Sequence, residues 1–338
     1  MTTTTTTPTT LVTGGTGYLA TRLIADLLAS GVDVRTTIRT LDRADEVRAA
    51  VRRAGVDDAG LSFTVASLTD DAGWDDTLSG ISEVYHVASP MIQSTNRDEV
   101  VVPARDGTLR VLRAARNAGA RRVVLTSSFA AVGYSPKPVR DYDETDWTDP
   151  ATPGLPAYPL SKAIAERSAW DFIEREGDGL ELAVINPTWI AGPTLTASAR
   201  SSLQVFTGML DGTMTAVPRQ RFGLADVRDV SSAHIAAMAT PAAAGKRYLV
   251  LADGPTRTFL DVANVLRAEL GDLASRVPTE ELPGDEPTPL TIHNERAKNE
   301  LGLRPRPAVE TIVETAESLR ALGLLANPAT PVGSDETE

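Results

Sequence analysis

Tyr158 and Lys162, in Ala157-Tyr158-Pro159-Leu160-Ser161-Lys162, have the chemistry and the spacing to move a proton. On a helix, positions i and i+4 share a face, one turn and roughly 6 Å apart along the axis, so a phenol and an ammonium so placed look into one space. A free phenol ionises near ~10 and is a poor proton shuttle at neutral pH. A neighbouring cation favours the phenolate and brings the group towards the range where general acid catalysis is efficient. Pro159 suits the first turn, where its missing N–H is no loss. Taken alone, the pair fits a solvated helix face equally well. The segments upstream tip the balance.

Thr9 to Val12 reads as a short buried strand that runs into Thr13-Gly14-Gly15-Thr16-Gly17-Tyr18-Leu19-Ala20. A helix follows, with Leu19, Leu23, Ile24, Leu27 and Leu28 on one face, and Gly31 stops it. Val32 to Ile38 is the next strand. Strand, glycine turn, helix and strand within about thirty residues is the context of a dinucleotide fingerprint. Gly14 allows the tight turn, Gly17 lets backbone approach a pyrophosphate, and Ala20 keeps the helix close to the strand. Free N–H groups at the helix start would receive the phosphates. The rival reading of these glycines is a plain β–α turn. After the second strand stands Arg39, with Arg43 nearby, where a binder of NAD usually carries an acidic residue for the ribose hydroxyls. A guanidinium suits a 2′-phosphate and a carboxylate repels one, so NADP is expected over NAD. Otherwise Arg39 is a solvated residue past a strand end.

The alternation continues through a helix at 42–54, a strand at 61–66, a helix at 71–78 and a strand at 83–87. A long helix at 99–118, a strand at 122–126, the Tyr158 helix and a strand at 180–185 complete it. Such alternation predicts an α/β fold, a doubly wound parallel sheet with right-handed crossovers, in which ligands bind outside the strands' carboxyl ends. The Gly14 loop, Arg39, Ala88, Ser128 and Pro187 then fall along one edge. From Pro187 on, regularity fades. A helix near 203–210, a strand at 222–228, helices at 230–239, 258–270, 294–301 and 309–322, and a strand at 247–251 are expected, with an acidic, proline-rich connector at 278–289. Residues 9–187 are expected to form the dinucleotide-binding domain, to which the chain returns at about 222–252. Residues 188–221 and 253–324 make a smaller, mostly helical substrate lobe, and 1–8 and 327–338 are disordered tails.

Composition narrows the chemistry. With 42% hydrophobic and 23% charged residues, the chain is that of an ordinary globular protein. A net charge of −12 leaves no basic excess for nucleic acid or an anionic membrane. The absence of cysteine excludes disulfides and thiolate chemistry and suits a reducing cytoplasm. His86, His234 and His293 lie far apart in sequence, so no metal site is expected. His86, in a buried strand, reads as a core residue bonded to backbone. No apolar run reaches membrane-spanning length, and Met1 to Thr7 is a threonine tract without the features of a signal peptide.

Together these segments resemble the extended short-chain dehydrogenase/reductase superfamily over roughly Thr9 to Leu322. The carriers are the glycine turn, Val87-Ala88-Ser89-Pro90, Val124-Leu125-Thr126-Ser127-Ser128, Tyr158 to Lys162, Asn186-Pro187-Thr188 and the late Asn294 to Gly302 segment. Arg39 and the block from His86 to Met91 look most like the dihydroflavonol reductase, cinnamoyl-CoA reductase and yeast methylglyoxal reductase group. The resemblance implies a catalytic Ser128 bonding a substrate carbonyl oxygen, Tyr158 as its proton donor, and Lys162 on the nicotinamide ribose, favouring ionisation of the phenol. It implies Gly14, Thr16, Gly17, Tyr18 and Leu19 around the pyrophosphate and Arg39 at the 2′-phosphate. Ser67 and Leu68 would flank the adenine. Val87, Ala88, Ser89 and Thr126 would line the nicotinamide half, with Pro187 and Thr188 near its carboxamide. Pro90, Phe129, Trp189, Leu203 and Phe206 are the candidate substrate contacts.

Some positions depart from the family. Ser67 follows the third strand where relatives commonly carry Asp, and Arg110 stands where they often carry Asn or Asp, so no proton relay transfers there. Phe129 to Tyr134 holds no acidic pair, which disfavours sugar-nucleotide dehydration. Pro156-Ala157-Tyr158-Pro159 replaces the Asn-Trp-Tyr-Cys of cinnamoyl-CoA reductases, which disfavours thioester reduction. The expectation is an NADPH-dependent carbonyl reductase, reversible as an alcohol dehydrogenase, acting on a small molecule as monomer or homodimer in the cytoplasm. The rivals are a nucleotide-sugar epimerase or a hydroxysteroid dehydrogenase, and, in another class, a non-catalytic NADP-sensing regulator. Such a regulator typically loses the tyrosine–lysine pair.

Overall fold

Central strands that are buried along nearly their whole length build a sheet covered on both faces. The computed structural model describes residues 9–90, 92, 94, 96–197 and 202–325; the expected tails and Met91 lie outside them. Seven strands, β1 (Thr9–Val12), β2 (Val34–Ile38), β3 (Leu61–Val65), β4 (Ile81–His86), β5 (Arg122–Thr126), β6 (Glu181–Pro187) and β7 (Arg247–Val250), form one sheet. Their order is β3-β2-β1-β4-β5-β6-β7, and every neighbouring pair is parallel. The order reverses between β1 and β4, the point at which a doubly wound sheet opens its ligand crevice. Helices α1 (Tyr18–Ala29), α2 (Ala44–Arg53), α3 (Trp74–Leu78), α4 (Arg97–Asn117) and α5 (Ala157–Glu176) make the crossovers. The fold is the Rossmann-like one that the alternation predicts.

Adjacent strand residues go to opposite faces. Val12, Val124, Ala183 and Ile185 face Leu19, Leu23 and Ile24 of α1 and Val230 and Ala233 of α7 (Val227–Ala239). Their neighbours Leu11, Val123, Leu182 and Val184 face Val111, Leu112 and Ala115 of α4 and Ala169 and Phe172 of α5. At the far end of the sheet from the crevice, Arg122 of β5 is 1% exposed. Its guanidinium donates to the carbonyl oxygens of Ala237, Met238 and Thr240 at 2.7, 3.0 and 2.6 Å, so a cation caps the carboxyl end of α7.

The remaining helices are α6 (Gln204–Asp211), α8 (Phe259–Glu269), α9 (Glu295–Leu301) and α10 (Ala308–Ala321). A separate core joins Leu203, Phe206 and Met209 to Val262 and Leu266 of α8 and Ile312 and Ala316 of α10. Ala297 of α9 packs instead with the sheet cluster, although it falls in the stretch expected to form the lobe. The strand expected at 222–228 breaks into short pairings at Arg221–Phe222 and Leu224–Asp226, and α7 starts at Val227, three residues early. The cause is the Asp226 side chain, which accepts from the Arg228 N–H at 2.8 Å and caps the helix.

Candidate active site

The glycine turn is built by close approach. Gly14 has φ +75°, and a Cβ there would lie 2.9 Å from the Ala88 Cβ, so the turn rests directly on the end of β4. A Cβ on Gly15 would come within 2.4 Å of Thr36 Oγ1, which itself donates to the Val12 carbonyl oxygen at 2.7 Å. Gly15 is thus fixed by packing, a constraint that the dinucleotide pattern alone does not show. The Gly14 N–H donates to Thr37 Oγ1 at 2.8 Å and the Gly17 N–H to the Gly14 oxygen at 2.9 Å. Gly17 is the N-cap of α1 and no side chain caps that end, so its first N–H groups are free for an anion. Thr16 borders the turn half-buried, and Leu19 is buried and offers backbone only. The Tyr18 hydroxyl donates to Gly192 O at 2.7 Å, and burial and the Asp226 charge hold its pKa well above the ordinary value.

Arg39 is exposed and makes no hydrogen bond or ion pair among the described residues, whereas Arg43 pairs with Glu46 at 2.7 Å. Ser67 Oγ accepts from the Thr69 N–H at 3.2 Å. The Leu68 oxygen accepts from Arg110, which also pairs with Asp71, so Arg110 anchors this loop.

At the end of β4, the Thr13 hydroxyl accepts from the Val87 and Ala88 N–H groups at 3.1 and 3.0 Å and lies 3.0 Å from His86 Nδ1. With both lone pairs used, the hydroxyl proton goes to Nδ1, which assigns the imidazole proton to Nε2. Nε2 is buried without a partner among the described residues. His86 is therefore tied to a side chain rather than to backbone as expected, and burial with the nearby Lys162 charge pushes its pKa down to about 3.

Tyr158, 45% exposed, stands in the first turn of α5. Lys162 Nζ lies 5.9 Å from the Tyr158 ring centroid and donates to Ser89 Oγ at 3.3 Å. Pro90 follows, half-buried. Ser128 caps the turn 129–131, its Oγ accepting from the Ala130 N–H at 3.1 Å, which leaves its own proton to give. Tyr134 was not singled out by the sequence; burial and the neighbouring Tyr158 phenol raise its pKa, and no spacing pattern points to it.

Two groups of the expected contacts are engaged within the protein. The Thr126 hydroxyl bonds His234 Nε2 at 2.6 Å, and His234 Nδ1 lies 2.7 Å from Val230 O, so that side chain is committed to the α7 face. Leu203 and Phe206 are 1% and 0% exposed and Phe129 is 8% exposed. The first two are core, and Phe129 packs edge-on against Tyr142 at 5.6 Å. Trp189 stacks on Phe206 at 5.1 Å and meets Phe222 and Phe259 at 4.7 and 5.3 Å. Phe222 and Phe259, half-buried, extend this aromatic surface and carried no sequence signal. Pro187 ends β6, and the Thr188 hydroxyl beyond it is buried without a partner among the described residues. That orphaned hydroxyl and the cradle at Gly14 fit a dinucleotide laid across the strand ends.

A model of the NAD dependent epimerase/dehydratase family matches residues 10–251. The chain is 34% identical over 320 residues to the cinnamoyl-CoA reductase CAD2 of Medicago truncatula, covering 91% of this chain and 94% of that protein. It is 30% identical to the putative NADPH-dependent methylglyoxal reductase GRP2 of Candida albicans, covering 80% and 85%. Among solved structures it is similar to the yeast methylglyoxal/isovaleraldehyde reductase Gre2 complexed with NADPH, with a TM-score of 0.81, 27% identity, and 93% and 99% coverage.

Proposed function

We infer, because this chain belongs to the NAD dependent epimerase/dehydratase family, that it is an NADPH-dependent carbonyl reductase, reversible as an alcohol dehydrogenase. The observation that carries the reading is the Lys162 ammonium. It shares a helix face with the Tyr158 phenol and bonds Ser89 on the strand end against which the glycine turn packs. Proton donor and dinucleotide cradle therefore meet at one crevice.

NADPH, when bound, supplies the hydride for the carbonyl carbon. The free N–H groups at the start of α1 and the Gly14 turn would hold its pyrophosphate. Arg39, exposed and without an ion pair among the described residues, would read the 2′-phosphate. Thr188 and Pro187 would orient the carboxamide. The Ser128 and Tyr158 hydroxyls donate to the substrate oxygen as negative charge gathers there. Each such donor is worth about 3–4 kcal/mol by analogy with oxyanion-hole groups. Tyr158 then transfers its proton to that oxygen, and Lys162 keeps a positive charge one turn away. The aromatic surface of Trp189, Phe222 and Phe259 is the apolar wall on which a substrate would rest.

The partner is a small molecule, and no helix among the described residues is long and apolar enough to cross a membrane. A cytoplasmic location and a monomeric or homodimeric state belong to the same reading; sedimentation tests the second. The function is tested by following NADPH oxidation over aliphatic, aryl and dicarbonyl compounds, with an acyl-CoA thioester and a sugar nucleotide as further arms and product chirality measured. Turnover of ketones or aldehydes is expected, with each prochiral ketone giving a single enantiomer. Turnover of the thioester alone, or sugar epimerisation without NADPH loss, would overturn it.

A further inference from the structure

Tyr158, Lys162 and Glu166 step four residues at a time along α5 and so share one face of it. The third of them has no part in the chemistry above, and its side chain is 0% exposed. A carboxylate is hardly ever so buried unless its charge and its lone pairs are answered. Here all are. One oxygen accepts from Ser127 Oγ at 2.5 Å and Asn186 Nδ2 at 2.7 Å. The other accepts from Arg247 Nε at 2.5 Å and Trp170 Nε1 at 3.4 Å. Three of these donors come from three different strands or their ends, β5, β6 and β7.

Arg247 is held from a second side. Its Nη1 donates to the carbonyl oxygens of Glu144 and Asp146 at 3.1 and 2.7 Å, and its guanidinium lies 3.7 Å from the Trp147 ring centroid. Asn186 Nδ2, besides bonding Glu166, donates to the Ser128 carbonyl oxygen at 3.2 Å. A continuous path therefore runs from the helix of the phenol, through Glu166, to the backbone of the serine that would share its substrate oxygen.

We propose that Glu166 is a positioning residue, whose buried carboxylate sets the place of Ser128 relative to Tyr158 by clamping the ends of β5 and β6 to α5. The inference rests on the functional reading above. Two hydroxyls that must meet one oxygen tolerate errors of only about 0.5 Å, and a shift of about 1 Å can cost 10²-fold in rate. Neither residue is near the other in sequence. Ser128 belongs to a strand end and Tyr158 to a helix, and a bonded, charge-compensated side chain reaches both.

The test is a double-mutant cycle between Glu166→Gln and Ser128→Ala, with turnover expressed per NADPH site counted by fluorescence titration. Where Glu166→Gln strands the arginine and the protein fails to fold, Glu166→Gln with Arg247→Met replaces it. In the wild-type background the expected loss of kcat is at least about 10-fold, with KM and the NADPH Kd within about threefold. In the Ser128→Ala background the same change should cost less than about threefold, because the group it positions is gone. Equal losses in both backgrounds, or a kcat within threefold of wild type, overturn the proposal. If the wild type reduces no carbonyl compound, or Ser128→Ala is silent, the functional reading has failed instead. A crystal structure of the Glu166→Gln protein then decides. Ser128 displaced from Tyr158 by more than about 0.5 Å supports the clamp, and an unmoved serine refutes it.

Discussion

The Tyr18 hydroxyl donates to the Gly192 carbonyl oxygen at 2.7 Å, bridging the first residue of α1 and the segment that leaves the sheet after β6. Gly192 in turn donates its N–H to Thr315 of α10 at 2.6 Å. Tyr18→Phe removes the donor and leaves a carbonyl oxygen short of one bond, a cost of about 1–3 kcal/mol. Denaturant unfolding should register that loss with an unchanged m-value. NADPH titration should show weaker binding, because the residue opens the helix that would hold the pyrophosphate.

Tyr158→Phe keeps the ring and removes only the donor. NADPH affinity should stay within about twofold while kcat falls by about 10²–10³, the range for losing a transition-state donor. Steady-state rates with a substrate from the panel, set beside an NADPH titration, check both. Retained turnover would remove Tyr158 from the reaction.

Arg39 makes no hydrogen bond or ion pair among the described residues, so its replacement should change cofactor choice without loss of fold. Charge-assisted hydrogen bonds are worth about 1.5–3 kcal/mol. Arg39→Ala should therefore raise the NADPH KM by about 10–100-fold and leave the NADH KM nearly unchanged. Equal changes in both would mean that Arg39 does not read the 2′-phosphate.

Acid should unfold the protein earlier than its carboxylates alone require. Burial pushes the His86 pKa to about 3 and that of His234 to about 4, against about 6.5 in the unfolded chain. The unfolded state then binds more protons below pH ~6.5, so stability is complete above that value and drains away as pH falls. Between pH 6.5 and 5 each histidine accounts for about 2 kcal/mol. Unfolding curves at pH 7 and 5 should differ by more for wild type than for His234→Gln, and identical differences would refute the assignment.

Local spacing made much of this molecule legible. The strand–helix alternation, the glycine turn, and Tyr158 above Lys162 are all patterns within a few residues, and backbone geometry converts them directly into a parallel sheet and a shared helix face. The sequence by itself therefore determined the fold class, and it pointed to the edge proposed to hold the ligands and to the residues of the proposed proton transfer. Only the folded chain decided which way side chains turn where strand meets covering helix. Register sent Thr126 to His234 on α7 and Ser127 to Glu166 on α5, gave His86 the Thr13 hydroxyl as partner, and closed Leu203 and Phe206 into the lobe core. Those pairings join residues far apart in the chain. Whether a hydroxyl faces ligand or neighbour depends on what packs across from it, and no local pattern records that.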